Sequence, residues 1–439
     1  MKRRAKYFIN FIILSTVLGC LLCGCTAADA LDEVAKDMKV NVTSSDEEVR
    51  KEPEAEESEE KEESRQTVST EIEQEGESQE VPATSKEDGE SGESFLDRNA
   101  YEYARQYLNE AELLWYHDIS NGLGVLGTEF ELDSKGLEAG LTEEDIDKVF
   151  QCVLNDHPEL FYVDGYSYMK YSRGNKLVSI KFSGTYTCDA ETVRERAAQI
   201  NRAADAALSG ISGETDQYTK VKYVYDMVIK NTEYDYNAPD NQNIYSVFVN
   251  KRSVCQGYAK SVQFLLNRLG IESTLVLGMV NTGEGHAWNL VKIDGSYYYL
   301  DATWGDASYN MDTNGGQGQS MPEINYDYLN VTTDELLKTH TIDNCVAMPA
   351  CVSMDANYYC REGAYFTAYN PEQMKQLIDR AVSLGKSDIT IKCADDSCYN
   401  NVIDQLIGQQ KIFDFLGSGN SIAYSQNDKQ RSLTFWMTK

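Results

Sequence analysis

SVCQGYAKSVQFLLNRLG (residues 253–270), STLVLGMV (273–280) and GHAWNLVKIDGSYYYLDATW (285–304) decide how this chain folds. The first segment reads as a helix, because Tyr258, Ala259, Val262, Leu265, Leu266 and Leu269 recur at spacings of three and four. Stepping back along that stripe puts Cys255 on the core-facing side, at the helix N-terminus. There the unpaired N–H groups and the helix dipole favour a thiolate and would steady an oxyanion. A lone cysteine in apolar surroundings is inert, so position alone does not choose; a partner has to.

The other two segments read as strands, and Asp294-Gly295 is a two-residue hairpin turn that pairs Ile293 with Ser296. Carried back along the hairpin, this register sets Trp288 opposite Asp301 and His286 opposite Thr303. His286 and Asp301 then share one face as diagonal neighbours roughly 7 to 8 Å apart, a gap that an imidazole and a carboxylate close with a hydrogen bond. A nucleophile, a base and a group that orients the base are the parts of a thiol-based triad. A satisfied histidine in a polar hairpin is the plainer alternative, and it leaves the placement of Cys255 as coincidence.

Three motifs carry a resemblance. Val254-Cys255-Gln256-Gly257-Tyr258-Ala259, Gly285-His286-Ala287-Trp288-Asn289 and Tyr299-Leu300-Asp301-Ala302-Thr303-Trp304 look like those of the bacterial transglutaminase-like superfamily. The resemblance extends over roughly 143–340. It implies an α+β fold with a transglutaminase-like or papain-like core, a cysteine helix packed on an antiparallel sheet. It also implies roles: Cys255 as nucleophile, His286 as general base and acid, Asp301 as the orienting carboxylate, and an upstream oxyanion-hole side chain for which Tyr245 is the candidate.

Outward from this stretch the chain changes character. Residues 31–95 hold 23 Asp and Glu against 7 Lys and Arg, a balance of −16 within the chain's net −31. With almost no large apolar side chains, such a segment cannot offset its ordering entropy, and it reads as a disordered acidic tether over 26–95. Before it, Lys2, Arg3, Arg4 and Lys6 precede a short apolar run ending in Leu22-Cys23-Gly24-Cys25, which resembles a lipoprotein signal peptide over 1–25 with Cys25 as the lipidated residue. The expected location is the extracytoplasmic face of the cell membrane, lipid-anchored, with cell-wall association. The acidic balance and the lack of a basic stripe exclude nucleic acid as a partner.

Residues 96–214 form an N-terminal α+β region. Helical spacing runs from Leu96 to Tyr116, from a capping-type start at Thr142-Glu143-Glu144-Asp145 to about Asn155, and from Ala190 to Leu208, with a hairpin over Tyr166–Phe182. His157, before a proline and beside two acids, is expected to fix a turn. The catalytic core is placed at 215–340, and a small C-terminal α+β domain at 341–439: a strand over Ala356–Tyr369, then helix, strand, helix and a final hairpin. Apart from three cysteines near the leader, eight remain: Cys152, Cys188, Cys255, Cys345, Cys351, Cys360, Cys393 and Cys398. None forms a CxxC pair, and HExxH and EF-hand patterns are absent, so no metal and no cofactor are expected.

The combined expectation is a membrane-tethered cysteine acyl-transfer enzyme acting on peptide or protein amide bonds through Cys255, His286 and Asp301. Water resolving the acyl-enzyme would make it a protease or deamidase, the favoured case; an amine would make it a transglutaminase. The competing expectation is a catalytically silent cell-surface binding or scaffold module with the same fold.

Overall fold

The computed structural model of the chain describes residues 2–5, 94–97, 100–173, 176–306, 322–416 and 422–437. The expected signal peptide, Cys25 and the acidic tether lie outside them, except for the backbone of Lys2–Ala5 and for Ser94 and Phe95 at the end of the tether. At the centre is a four-stranded antiparallel sheet in the order His340–Ile342, Ser273–Val280, Gly285–Ile293, Ser296–Leu300. Asp294 and Gly295 both take positive φ, 49° and 86°, as a tight hairpin turn of this hand requires. Ile293 pairs with Ser296 and the register holds as far as Asn289 opposite Leu300.

The hairpin stops at Leu300, three residues short of the expected pairing of His286 with Thr303. Asp301 leaves the sheet and becomes the N-cap of the short Ala302–Gly305 helix, its Oδ1 accepting from the amides of Thr303 (2.9 Å) and Trp304 (3.1 Å). The Trp288–Asp301 and His286–Thr303 pairs therefore do not form. An aspartate followed by good helix-entry residues can cap as readily as it can pair, and here the cap wins.

The cysteine helix, Cys255–Arg268, packs across this sheet. Val262, Leu265 and Leu266 are wholly buried on it, each contributing roughly 1.5–3 kcal/mol of burial. Its polar side is covered as well: Gln256, Lys260, Ser261 and Gln263 are all buried, with the Gln217–Lys230 helix among the elements against it. The one-sided stripe in the sequence thus belongs to a helix enclosed on both sides.

The N-terminal region supplies a second sheet, with Val163–Arg173 and Lys176–Tyr186 as its central hairpin and Lys2–Ala5 and Phe130–Glu131 on its edges. The helical pattern over Leu96–Tyr116 is split: a 3-10 turn at Ala104–Tyr107 ends, and a new helix, Glu110–Gly124, starts at Asn109. Asn109 and Glu112 form a capping box, each side chain accepting from the other's backbone N–H, which fixes the break. The helix at Ala190–Leu208 falls where the periodicity places it, and the one expected from Thr142 runs over Asp145–Asp156.

Beyond Ile342 a third sheet runs Tyr365–Phe366, Asp388–Cys393, Ser432–Met437, Ile422–Asn427, flanked by the Pro371–Ser383 and Asp396–Ile403 helices. The strand expected over Ala356–Tyr369 is reduced to two residues, because Asn357 caps a short helix at Tyr358–Arg361 that buries Tyr358 and Tyr359. Asp327 accepts from Tyr359 Oη (2.9 Å) and Ser432 Oγ (2.7 Å), and Glu335 pairs with Lys392 (2.9 Å) and Arg431 (2.7 Å). The architecture is mixed α/β, a transglutaminase-like or papain-like core with additional α+β units.

Candidate functional site

His286 lies on the Gly285–Ile293 strand, Asp301 caps the short helix just past the hairpin, and His340 opens the edge strand that joins the sheet from downstream. Asp301 Oδ2 stands 2.8 Å from His286 Nε2 and 3.2 Å from His340 Nε2. The other His340 ring nitrogen, Nδ1, is 2.8 Å from the Thr339 hydroxyl. The relative exposures of His286, Asp301 and His340 are 6%, 1% and 2%, so one carboxylate serves two imidazoles almost out of contact with water.

Aromatic rings enclose the trio. The His286 ring is 6.0 Å from Trp288 and 6.1 Å from Trp304; that of His340 is 5.0 Å, 4.8 Å and 5.7 Å from Trp288, Trp304 and Tyr328. Excluding water lowers the local dielectric and strengthens every charge interaction inside. Burial opposes the charged form of His286, but the Asp301 carboxylate outweighs it, the Cys255 thiol acts in the same direction, and the pKa is pushed up to about 10. Burial likewise works against the Asp301 charge, and the two histidines more than offset it, holding the carboxyl well below its usual range. His340 moves the other way: burial and the His286 charge exceed the help from Asp301 and push it down. At neutral pH the cluster is one imidazolium, one carboxylate and one neutral imidazole. In the neutral ring Nε2–H donates to Asp301 and Nδ1 accepts from Thr339.

Of the sequence expectations, the His286–Asp301 hydrogen bond forms, although Asp301 supplies it from a helix cap and not from a strand. The Cys255–His286–Asp301 triad is corrected. Among the described residues, the His, Cys, Asp or Glu side chains whose donor atoms all converge within 4.8 Å are His286, Asp301 and His340, and Cys255 is not a member. Its thiol borders the imidazole but packs in a small apolar cluster with Ala259, Leu275, Leu277 and Ala287, at the buried first position of its helix. The readings that rest on the triad, cysteine protease, hydrolase and acyltransferase, are corrected with it.

Tyr245 stands at the start of the turn at Ser246–Asn250. Its hydroxyl donates to Gln199 Oε1 (3.1 Å) and its ring lies under the Arg196 guanidinium. His157 is a turn-fixing histidine, buried, with Nδ1 2.8 Å from Glu159 Oε1 and Nε2 3.2 Å from Tyr116 Oη.

His340 is the residue that sequence reasoning missed. Its signal is faint: it is one of 4 histidines, and it lies at the downstream end of the resemblance, outside the three motifs. Two imidazoles and a carboxylate are also a donor set of a kind that could hold a zinc-like ion. In the structure described, those same atoms are hydrogen-bonded to one another.

A sheet with a buried helix across it and a polar histidine cluster at one end defines a protein of transglutaminase-like architecture. Residues 205–302 match the model of the transglutaminase-like superfamily. The chain is also similar to a TGase structure, 16% identical over 36% of this chain and 47% of that one, with a TM-score of 0.24. A candidate cysteine protease from Cytophaga hutchinsonii is 17% identical over 32% and 66% of the two chains, TM-score 0.22. The periplasmic domain of TgpA from Pseudomonas aeruginosa, bound to ethylmercury, is 17% identical over 30% and 58%, TM-score 0.20. The chain therefore spans less than two thirds of each of these structures, and likeness at this level carries no functional argument. No curated protein matches the chain.

Proposed function

We propose that this protein is a binding or scaffold module of transglutaminase-like fold that engages peptides or proteins without turning them over. One observation carries the reading: the Asp301 carboxylate is closed between His286 and His340 in a buried cluster of which Cys255 is not a member, and that carboxylate pushes the His286 pKa up to about 10. A general base works best with a pKa near the operating pH. An imidazole that keeps its proton throughout the neutral range is suited to ordering a sheet end. Superfamily membership supports peptides or proteins as partners. The acidic segment and Cys25 would present the module from the membrane face, a placement that metabolic labelling with a fatty acid tests: label should appear on the wild type and vanish in Cys25→Ser.

The function itself is tested by equilibrium binding to an array of peptides and unfolded proteins. Retention of ligand should be equal in the wild type and Cys255→Ala, with the mass of every recovered ligand unchanged. Failure to retain any ligand, or recovery of a ligand whose mass has changed only with wild-type protein, overturns the proposal.

A further inference from the structure

Cys152 is wholly buried on the Asp145–Asp156 helix, and Cys345 is half-buried in the segment just after the His340–Ile342 strand. Their sulfurs are 3.4 Å apart across 193 residues of sequence. Asn155, one helical turn beyond Cys152, donates from Nδ2 to Cys345 Sγ (3.3 Å) and Asn344 Oδ1 (3.1 Å). Its carbonyl accepts from Gln263 Nε2 of the cysteine helix (2.7 Å). Three parts of the fold meet at this point: the N-terminal region, the central helix and the segment that delivers His340.

We infer that Cys152 and Cys345 are a disulfide-forming pair that staples the His340 strand to the N-terminal helix. A bond of about 2.05 Å needs the sulfurs to close by only about 1.4 Å, and the more accessible partner sits on an irregular segment able to supply that movement. The oxidant is a disulfide compound such as oxidised glutathione. The Cys345 thiolate attacks one of its sulfurs, forming a mixed disulfide and releasing one thiol. Cys152 then attacks the Cys345 sulfur, and the second thiol leaves. Two protein thiols are oxidised, one external disulfide is reduced, and the two protons depart on the released thiols. Cys345 acts first because it is reachable, whereas contact with Cys345 and burial keep the Cys152 thiol protonated.

The test uses the full chain. Protein is incubated with oxidised glutathione, trapped by alkylation in denaturant and mapped by non-reducing peptide mass spectrometry. A second sample compares thermal midpoint and amide exchange of residues 340–345 before and after reduction. The expected result is a Cys152–Cys345 linked peptide, a midpoint several degrees higher in the oxidised form, and slower exchange in that segment. All three should be lost in Cys345→Ser, whose midpoint should match that of reduced wild type. Recovery of both cysteines as alkylated, glutathione-capped or linked elsewhere overturns the inference. So does an oxidation-dependent midpoint shift that persists in Cys345→Ser.

Discussion

Asp301 accepts through both oxygens, Oδ2 from the two imidazoles and Oδ1 from the amides of Thr303 and Trp304. Replacing it with alanine leaves a buried imidazolium without its counter-charge and a helix without its cap. Removing one partner of a buried pair costs about 3–5 kcal/mol, so Asp301→Ala should lower the urea-derived stability by at least about 3 kcal/mol. A loss below about 1 kcal/mol would mean that the cluster is not charge-paired. The pH dependence follows from the shifts. The folded pKa of His286, about 10, lies above the unfolded value of about 6.5. Its contribution is therefore complete below about pH 6.5 and lost as pH rises towards 10. His340, with its folded pKa pushed down, and Asp301, with its carboxyl held down, contribute in the opposite sense: stability is lost as pH falls through their ranges. Lys260, whose pKa burial lowers to about 8, adds stability as pH rises above that value and so opposes the His286 trend. The wild type must then be compared with His286→Asn, which should lose less stability between pH 6.5 and 10. Parallel curves for the two proteins would contradict the shift.

Two elements hold the cluster in place, the hairpin at Asp294-Gly295 and the edge strand at His340–Ile342. Gly295 has φ of 86°, where a side chain is strained, and Gly295→Ala should cost about 1 kcal/mol by chemical denaturation. Gly278 faces the edge strand so closely that an added Cβ would lie 1.9 Å from the Thr341 carbonyl oxygen and 2.7 Å from Trp288. Gly278→Ala should therefore push the edge strand away, costing about 1–3 kcal/mol and speeding amide exchange at 340–342, with little change in the distant 163–186 hairpin. Unchanged exchange at 340–342 would show that the contact is not tight. The hairpin and the cysteine helix were legible because local chemistry determines them: a turn that only certain residues form, and apolar spacing that only a helix satisfies. Asp301's departure from the strand was not, since an aspartate can either pair or cap and only the surroundings decide. His340 was less legible still. Its strand is three residues long and gains its place from pairing with Gly278–Val280, far back in the sequence. Local patterning at Leu96–Tyr116 likewise gave one helix, where Asn109 starts a new one.

Across the whole molecule, the third sheet is fastened to the central core through buried charge. Glu335, held down to about 2 as Lys392 and Lys338 outweigh its burial, pairs with Lys392, which is 1% exposed, and with Arg431. Glu335→Gln should destabilise the protein by about 3 kcal/mol and separate one unfolding transition into two, followed by near-ultraviolet dichroism and tyrosine fluorescence together. Coincident and unshifted transitions would mean that the sheet docks without help from the Glu335 ion pairs. Three regions are so joined, with the histidine cluster closed inside, and the role proposed for them is to hold a partner. The most direct measurement of that role is product analysis by mass spectrometry after long incubation of a peptide library, with and without a primary amine, with wild type and Cys255→Ala. A silent module predicts no cleavage, no ammonia and no crosslinks from either protein. Products formed by the wild type and absent with Cys255→Ala would contradict it and return the thiol to the centre of the chemistry.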